Sequence, residues 1–265
     1  MKGKSLLFVA GAGVLAVAMM SCGKKEETEA PAAGAPAAAS AGKPVDAATA
    51  GSVMGTIKLD GVAPKMKVIN MAAEPNCAKE HSSPAMTEDV VVGDANALSN
   101  VIVYLKGDFS AYSFPAPSSS ASIDQKGCQY TPHVLALQTG QSLQVVNSDQ
   151  TTHNIHPVPK NNREWNESQP PGAAPIVQSF ARAEVAVPVK CNVHPWMKAY
   201  IGVLDNPYFQ VTGKDGSFDI KNVPPGTYTL VAWHELYGPT EQSVTVAASA
   251  EQKVNVTVKA TAGSD

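Results

Sequence analysis

The sequence predicts an all-β protein, and three observations support this fold class. From Ser52 onward, short runs with the composition of β-strands are bounded by Gly, Pro, Asn and Asp. No long segment shows the 3.6-residue periodicity of an amphipathic helix. Turn-forming sequences, Lys-Asp-Gly at 214–216 and Pro-Pro-Gly at 224–226, separate successive runs. The runs predicted as strands are, in chain order, 53–59, 100–106, 134–137, 142–147, 184–189, 200–204, 217–220, 227–234, 241–246 and 253–258.

Composition limits both the size of the core and the class of partner. The chain has 265 residues, of which 44% are hydrophobic, so it can bury one large core or two small ones. Its formal net charge is −3, which provides no basic surface for nucleic acid. Nucleic acid is therefore not expected among the partners.

The first 21 residues have the pattern of an export signal. Lys2 and Lys4 form a basic start, an apolar run follows at 6–20, and Ser21 precedes Cys22. The apolar run is shorter than the roughly 20 residues that a membrane-spanning helix needs. The pattern resembles a bacterial lipoprotein signal, which implies lipidation of Cys22 and attachment to a membrane. An uncleaved anchor or an ordinary secretion signal is the alternative, and in each case the protein leaves the cytoplasm.

The segment after the signal is predicted to be a tether. Residues 22–50 are rich in Ala, Pro, Gly and Ser and contain almost no large apolar side chain, which is typical of a disordered linker. Gly23 stands where an acidic residue is associated with retention in the inner membrane. The lipoprotein resemblance therefore implies the periplasmic face of the outer membrane, or the cell surface, rather than the inner membrane.

The C-terminal part carries a family resemblance. Residues 213–228 read Gly-Lys-Asp-Gly-Ser-Phe-Asp-Ile-Lys-Asn-Val-Pro-Pro-Gly-Thr-Tyr and closely resemble the carboxypeptidase regulatory-like domain, a small transthyretin-like β-sandwich. The usual opening strands of that family resemble residues 51–61 and 99–107, far upstream. The resemblance implies a sandwich that is split by an inserted domain, which is physically easy where strand ends lie at the surface.

The implied organisation has five parts. They are the lipoprotein signal at 1–21, the tether at 22–50, the first part of the regulatory-like sandwich with a connecting segment at 51–121, an inserted β-domain at 122–206, and the remainder of the sandwich at 207–262. In the alternative arrangement, residues 100–106 are the first strand of the inserted domain instead.

The segment from Cys191 to Met197, Cys-Asn-Val-His-Pro-Trp-Met, carries the most informative side chains. Its thiolate, its imidazole at His194 and its thioether are three residues apart and can converge from one tight loop. Their softness favours copper over hard cations. His153 supplies a further imidazole just after the apolar strand at 142–147. A sheet would place it near the loop after 184–189, so it can reach the same ion.

Residues 122–206 resemble the amicyanin and plastocyanin group of cupredoxins, which are Greek-key β-sandwiches that hold one type 1 copper. The resemblance implies that His153 is the first ligand, Cys191 the thiolate, His194 the second imidazole and Met197 the axial thioether. Two histidines and a cysteine with a weak axial methionine are typical of blue-copper electron transfer. A buried free cysteine beside a surface histidine in an ordinary sandwich is the alternative.

The same resemblance assigns residues around the ligands. Asn154 is similar to the cupredoxin asparagine that ties the two ligand-bearing loops together. Pro195 and Trp196 lie beside His194, whose ring edge reaches solvent through an apolar patch in the family. That patch implies a docking surface for a redox partner such as a c-type cytochrome or a copper oxidoreductase. Simple core packing is the alternative role for Trp196.

Two cysteines remain once Cys22 is assigned to the lipid and Cys191 to copper. In an exported protein, the remaining Cys77 and Cys128 are predicted to form a disulfide. A second metal site that includes His81 and His133 is the alternative. His156 and His133 are otherwise expected to be hydrogen-bonded polar residues, and the Trp-His-Glu sequence at 233–235 to be structural.

The predicted function is single-electron transfer without enzymatic turnover, because four protein ligands leave no open position for a substrate. Copper delivery, storage or sensing is one alternative. A structural or ligand-binding lipoprotein without redox chemistry is another. A copper enzyme of the nitrite-reducing type would need a second, histidine-rich site, and the remaining histidines lack a convincing spacing for one.

Overall fold

The computed structural model describes residues 42–260. The predicted signal at 1–21 and the predicted lipidation site at Cys22 lie outside the described residues. Within the described range, helical structure is confined to α1 (Pro75–Lys79) and a short 3₁₀ segment at Asp94–Asn96. The predicted all-β class is therefore confirmed. No helix among the described residues is long and apolar enough to cross a membrane.

Seventeen strands form four sheets within residues 42–260. In chain order the strands are β1 (Gly51–Asp60), β2 (Ile102–Lys106), β3 (Ala121–Lys126), β4 (Gln129–Thr131), β5 (Val134–Gln138), β6 (Leu143–Asn147), β7 (His153–Pro157), β8 (Glu167–Gln169), β9 (Ile176–Gln178), β10 (Glu184–Lys190), β11 (Lys198–Leu204), β12 (Phe209–Val211), β13 (Ser217–Val223), β14 (Gly226–His234), β15 (Gly238–Val246), β16 (Glu251–Lys253) and β17 (Val256–Lys259).

The first sandwich joins segments from the two ends of the described chain. In one sheet, β1 lies between β13, which is antiparallel to it, and β16 and β17, which are parallel to it; the other sheet has the order β12-β2-β14-β15. Val53, Ile57 and Leu59 of β1 are buried and share one core with Phe218 and Leu230. Because β2 pairs with β12 and β14, the alternative that residues 100–106 begin the inserted domain is wrong.

The second sandwich is formed by strands β3 to β11. Its two sheets have the orders β4-β3-β6-β9 and β5-β11-β10-β7-β8. Alternate residues such as Val187, Val189 and Ile201 point into a separate core, as expected for strands that bury one face. Met71 and Cys77 also belong to this core, so the first part of the segment between β1 and β2 packs on the second sandwich although it precedes that sandwich in the chain. Val90 and Leu98, later in the same segment, belong to the core of the first sandwich.

A buried polar contact joins the two sandwiches. Glu235, which follows β14, has a side chain that is 2% exposed and contacts the His133 ring of the second sandwich. Lys198 Nζ lies 3.3 Å from Glu235 Oε2 and also pairs with Asp89. Next to this contact, burial lowers the pKa of His234 to about 4. The glutamate of the Trp-His-Glu sequence therefore links the two sandwiches.

The last residues of the predicted tether differ from the prediction. The backbone N–H of Lys43 donates to the carbonyl oxygen of Ala111 at 3.0 Å, and the N–H of Ser249 donates to that of Thr49 at 2.9 Å. Ser249 Oγ also donates to the carbonyl oxygen of Ala48 at 2.8 Å. These hydrogen bonds, all accepted or donated by the backbone of residues 43–50, hold that stretch against the first sandwich, and composition alone does not reveal them.

Candidate metal centre

The sheet that contains β7, β10 and β11 brings the predicted ligands together. β10 lies between the other two strands and is antiparallel to both, with Lys190 opposite His156 on β7 and Lys198 on β11. His153 therefore begins β7 at the end of the sheet where β10 ends. Cys191 is the first residue of the loop that joins β10 to β11. Two chain segments almost 40 residues apart thus meet at one edge because of the strand register.

Three of the four predicted ligands converge. His153 Nδ1 lies 2.9 Å from His194 Nδ1, and Cys191 Sγ lies 3.8 Å from the same His194 atom. One ligand atom of each residue lies within 4.8 Å of the others, and all three residues are at most 3% exposed. Two imidazoles that direct Nδ1 atoms at one point beside a thiol have the arrangement of a metal-binding cluster.

Met197 lies at the other end of the ligand loop. Its backbone N–H donates to the carbonyl oxygen of His194 at 2.9 Å, and its carbonyl oxygen accepts the N–H of Cys191 at 3.2 Å. Its side chain is buried in the same core as Cys191. These backbone hydrogen bonds close the loop into a compact turn that joins Met197 to Cys191 and His194 through the main chain.

Asn154 connects the loop to β7. Its Oδ1 accepts the backbone N–H of Asn192 at 2.6 Å and the thiol of Cys191 at 3.4 Å. The N–H of His194 donates to Cys191 Sγ at 3.4 Å. The buried Tyr130 hydroxyl donates to the carbonyl oxygen of Asn154 at 2.6 Å and fixes the same strand. Asn154 therefore lies where the sequence places it, between the two ligand-bearing segments.

Asp149 is a residue of this cluster that the sequence did not predict. Its Oδ2 lies 2.8 Å from His153 Nε2, and its carboxylate also accepts the backbone N–H groups of Gly127 at 2.6 Å and Cys128 at 2.7 Å. A carboxylate behind a ligating histidine fixes the ring and its tautomer, with the proton on the outer nitrogen. A carboxylate in the turn between a buried strand and the histidine is the signal that could have identified it.

Electrostatics favour the thiolate. Burial opposes ionisation of Cys191, but hydrogen bonds from His153 and from the backbone of Asn154 and His194 outweigh it, so the pKa of the thiol is lowered. Burial also opposes protonation of His153, yet hydrogen bonds with Asp149 and Cys191 raise its pKa. Burial and the neighbouring His153 lower the pKa of His194. The cluster thus offers an anionic sulfur and imidazole nitrogens, which suit a soft metal ion such as copper.

The prediction that the ring edge of His194 faces solvent is wrong. His194 is 0% exposed, because Cys77 from the segment between β1 and β2 and Cys128 from the β3–β4 turn lie against it. Trp196 is half-buried, its ring centroid is 5.2 Å from that of His194, and its indole N–H donates to the carbonyl oxygen of Cys128 at 3.0 Å. Pro195 is exposed. Trp196 therefore contributes to packing as well as to the surface.

The predicted disulfide between Cys77 and Cys128 is confirmed. The histidines of the alternative metal site have other partners: His81 Nε2 lies 2.7 Å from the carbonyl oxygen of Gly127, and His133 contacts the glutamate that links the sandwiches. His156 is hydrogen-bonded on both ring nitrogens, as expected for a polar residue beside the site.

Comparison with known proteins identifies one domain of the chain. Residues 203–259 match the family model of the carboxypeptidase regulatory-like domain. This stretch is a carboxypeptidase regulatory-like domain. It contains β12 to β17, and β1 and β2 complete its two sheets. The comparison with curated proteins found no match.

Similar solved structures carry the names of copper proteins. A Cu-containing nitrite reductase from Thermus scotoductus SA-01 is 18% identical with a TM-score of 0.31, and the match covers 34% of this chain and only 23% of the reductase chain. A Cu(I) amicyanin variant is 19% identical with a TM-score of 0.28, covering 33% of this chain and 84% of amicyanin. A purple cupredoxin from Nitrosopumilus maritimus is 21% identical with a TM-score of 0.28, covering 32% and 99%.

Proposed function

We propose that this protein is an electron-transfer protein with one type 1 copper. The observation that carries the proposal is the convergence of His153 Nδ1, His194 Nδ1 and Cys191 Sγ in a buried cluster. Met197, which the same loop holds beside them, is proposed as the axial ligand. Copper held by this donor set would supply single-electron exchange between Cu(I) and Cu(II).

The surrounding residues supply rigidity. Asp149 holds the His153 ring from behind, and Asn154 holds the backbone of the ligand loop through Asn192. Each ligand residue is almost fully buried, so water is excluded and little can rearrange when an electron arrives. Little rearrangement favours fast transfer. Since the four proposed ligands would fill every coordination position of the copper, no position stays open for a substrate, and we propose no enzymatic turnover.

The proposed setting is the surface of a membrane outside the cytoplasm, reached through a lipid on Cys22. The proposed partner is a c-type cytochrome or a copper oxidoreductase. Since the His194 ring is covered, contact is proposed at the exposed apolar residues of the ligand loop. These are Val193, which is 49% exposed, and Pro195. They lie on either side of His194 in the chain and give a short path to it.

The direct experiment is to add Cu(II) to the purified full-length chain and record its visible spectrum. We expect an intense thiolate-to-copper band that saturates at one copper per chain and is absent in Cys191→Ser. Repeated reduction by ascorbate and oxidation by ferricyanide should bleach and restore the band without loss of copper. Loss of copper to a Cu(I) chelator in each reduced phase would favour copper delivery instead. A folded chain with reduced Cys191 and no band would refute the electron-transfer role.

A further inference from the structure

The Cys77–Cys128 disulfide lies directly behind the proposed copper ligand His194. One ring nitrogen of His194 lies within 4.8 Å of both sulfur atoms, and the two sulfurs and the nitrogen form one cluster of potential ligand atoms. All three residues are 0% exposed. The disulfide is therefore part of the wall of the metal centre rather than a remote crosslink.

The two nitrogens of His194 have different surroundings. Nδ1 faces His153 Nδ1 and Cys191 Sγ. Nε2 is buried and has no hydrogen-bond partner among the residues that the structure describes. A buried polar atom without a partner is unfavourable and needs an explanation, and a metal ion bound there would provide the missing partner. One nitrogen of this ring and the two sulfur atoms make up a set of soft donors.

We propose that Cys77 and Cys128, once reduced, form with His194 Nε2 a second metal site that binds one Cu(I). A dithiol reductant supplies two electrons and two protons, the S–S bond breaks to give two thiols, and the reductant becomes a disulfide. Binding of Cu(I) by the two thiolates then releases two protons. The inference goes beyond electron transfer and shares only His194 with the proposed copper site.

Contacts other than the disulfide hold both cysteines in place. Cys128 belongs to the two-residue turn between β3 and β4, and Gly127 and Cys128 both have positive φ, as a tight hairpin turn requires. Asp149 accepts both N–H groups of this turn. His81, which follows the helix that carries Cys77, contacts the carbonyl oxygen of Gly127 at 2.7 Å. The two sulfurs are therefore expected to stay close to each other after the S–S bond is broken.

The two sites use opposite nitrogens of one ring, so they can be filled together. Reduction of the disulfide would then change how many copper ions the protein holds, from one to two. A dithiol in the surroundings would in this way convert an electron carrier into a protein that also takes up Cu(I).

The test counts Cu(I) on the full-length chain under argon, by competition with the chromogenic chelator bicinchoninate. With ascorbate, which leaves disulfides intact, we expect one Cu(I) per chain. With tris(2-carboxyethyl)phosphine, which reduces them, we expect two. The variant with both Cys77→Ser and Cys128→Ser should bind one Cu(I) per chain under both conditions. Cys191→Ser should retain one Cu(I) after reduction of the disulfide.

Two results would overturn the inference. One is a reduced chain with unchanged circular dichroism that binds a single Cu(I). The other is unfolding on reduction, because the fold is then not able to bring the three ligands together. Failure of the proposed electron-transfer site is distinguishable, since it would abolish the Cu(I) bound in ascorbate while leaving the one gained on reduction.

Discussion

Asp149 gives a sharp test of how the metal centre is held. The side chain is 2% exposed and accepts three hydrogen bonds, from His153 Nε2 and from the N–H groups of Gly127 and Cys128. In Asp149→Asn the amide nitrogen cannot accept a hydrogen bond, so at least one of these donors loses its acceptor. The negative charge that faces His153 is lost as well.

The size of the effect follows from these contacts. One hydrogen bond to a buried charged group contributes about 2 kcal/mol, so the free energy of unfolding should fall by about that amount. Replacement of a residue that orients a ligating histidine typically weakens metal binding by about 10–100-fold. We therefore expect Asp149→Asn to bind Cu(II) about 10–100-fold more weakly than the parent chain, with the thiolate band retained at saturation.

The assay is a competition titration of Cu(II) against a chelator of known affinity, followed at the thiolate band. Asp124→Asn is the matched control, because Asp124 lies in the same sandwich and loses the same charge, but its Oδ2 accepts from Ser148 Oγ at 2.8 Å. The control should leave Cu(II) affinity unchanged. If Asp149→Asn lowers the unfolding free energy but binds Cu(II) as tightly as the parent, the reasoning that Asp149 orients His153 is refuted.

Three further predictions concern stability, measured by urea unfolding of the full-length chain. Replacing Cys77 and Cys128 by Ala removes a crosslink between residues 51 positions apart and should lower the free energy of unfolding by about 4 kcal/mol. A decrease of less than about 1 kcal/mol would contradict this prediction. Burial lowers the pKa of His234 to about 4, so the unfolded chain binds a proton at this residue more readily than the folded chain. The free energy of unfolding should therefore be at its full value above about pH 6.5 and should fall by about 3 kcal/mol as the pH is lowered toward 4. The His234→Phe chain should lose less stability over that range, and an equal slope would refute the assignment. Glu235→Gln should lower the free energy of unfolding by about 2 kcal/mol, which is less than the cost of breaking a fully buried ion pair because Lys198 is 40% exposed. An unchanged free energy of unfolding would show that the two sandwiches do not depend on this contact.

The strands that the sequence predicts are those with several apolar residues on one face. β1, β10 and β14 have this pattern, and their predicted positions agree with the structure to within a few residues. The strands that were missed are short or polar. β4 and β8 have three residues each, and they are stabilised by partners that no local pattern indicates.

The site shows the same division between local and long-range information. The ligand loop is one short segment, so its residues can be read from spacing, and its partner His153 follows a recognisable strand. Asp149 accepts hydrogen bonds from a turn more than 20 residues upstream, and this depends on tertiary structure. His194 is covered by Cys77, which lies more than 100 residues before it and outside the inserted domain. A family resemblance confined to the inserted domain therefore predicts that the His194 ring is exposed, whereas the structure buries it.

X-ray absorption at the copper edge, on the full-length chain loaded with one Cu(II), tests the central claim most directly. The convergence of Cys191 Sγ with the Nδ1 atoms of His153 and His194 predicts one sulfur and two imidazole nitrogens close to the metal. His153→Ala should remove one imidazole and leave the sulfur. Copper bound without sulfur, or a spectrum unchanged by His153→Ala, would contradict the account.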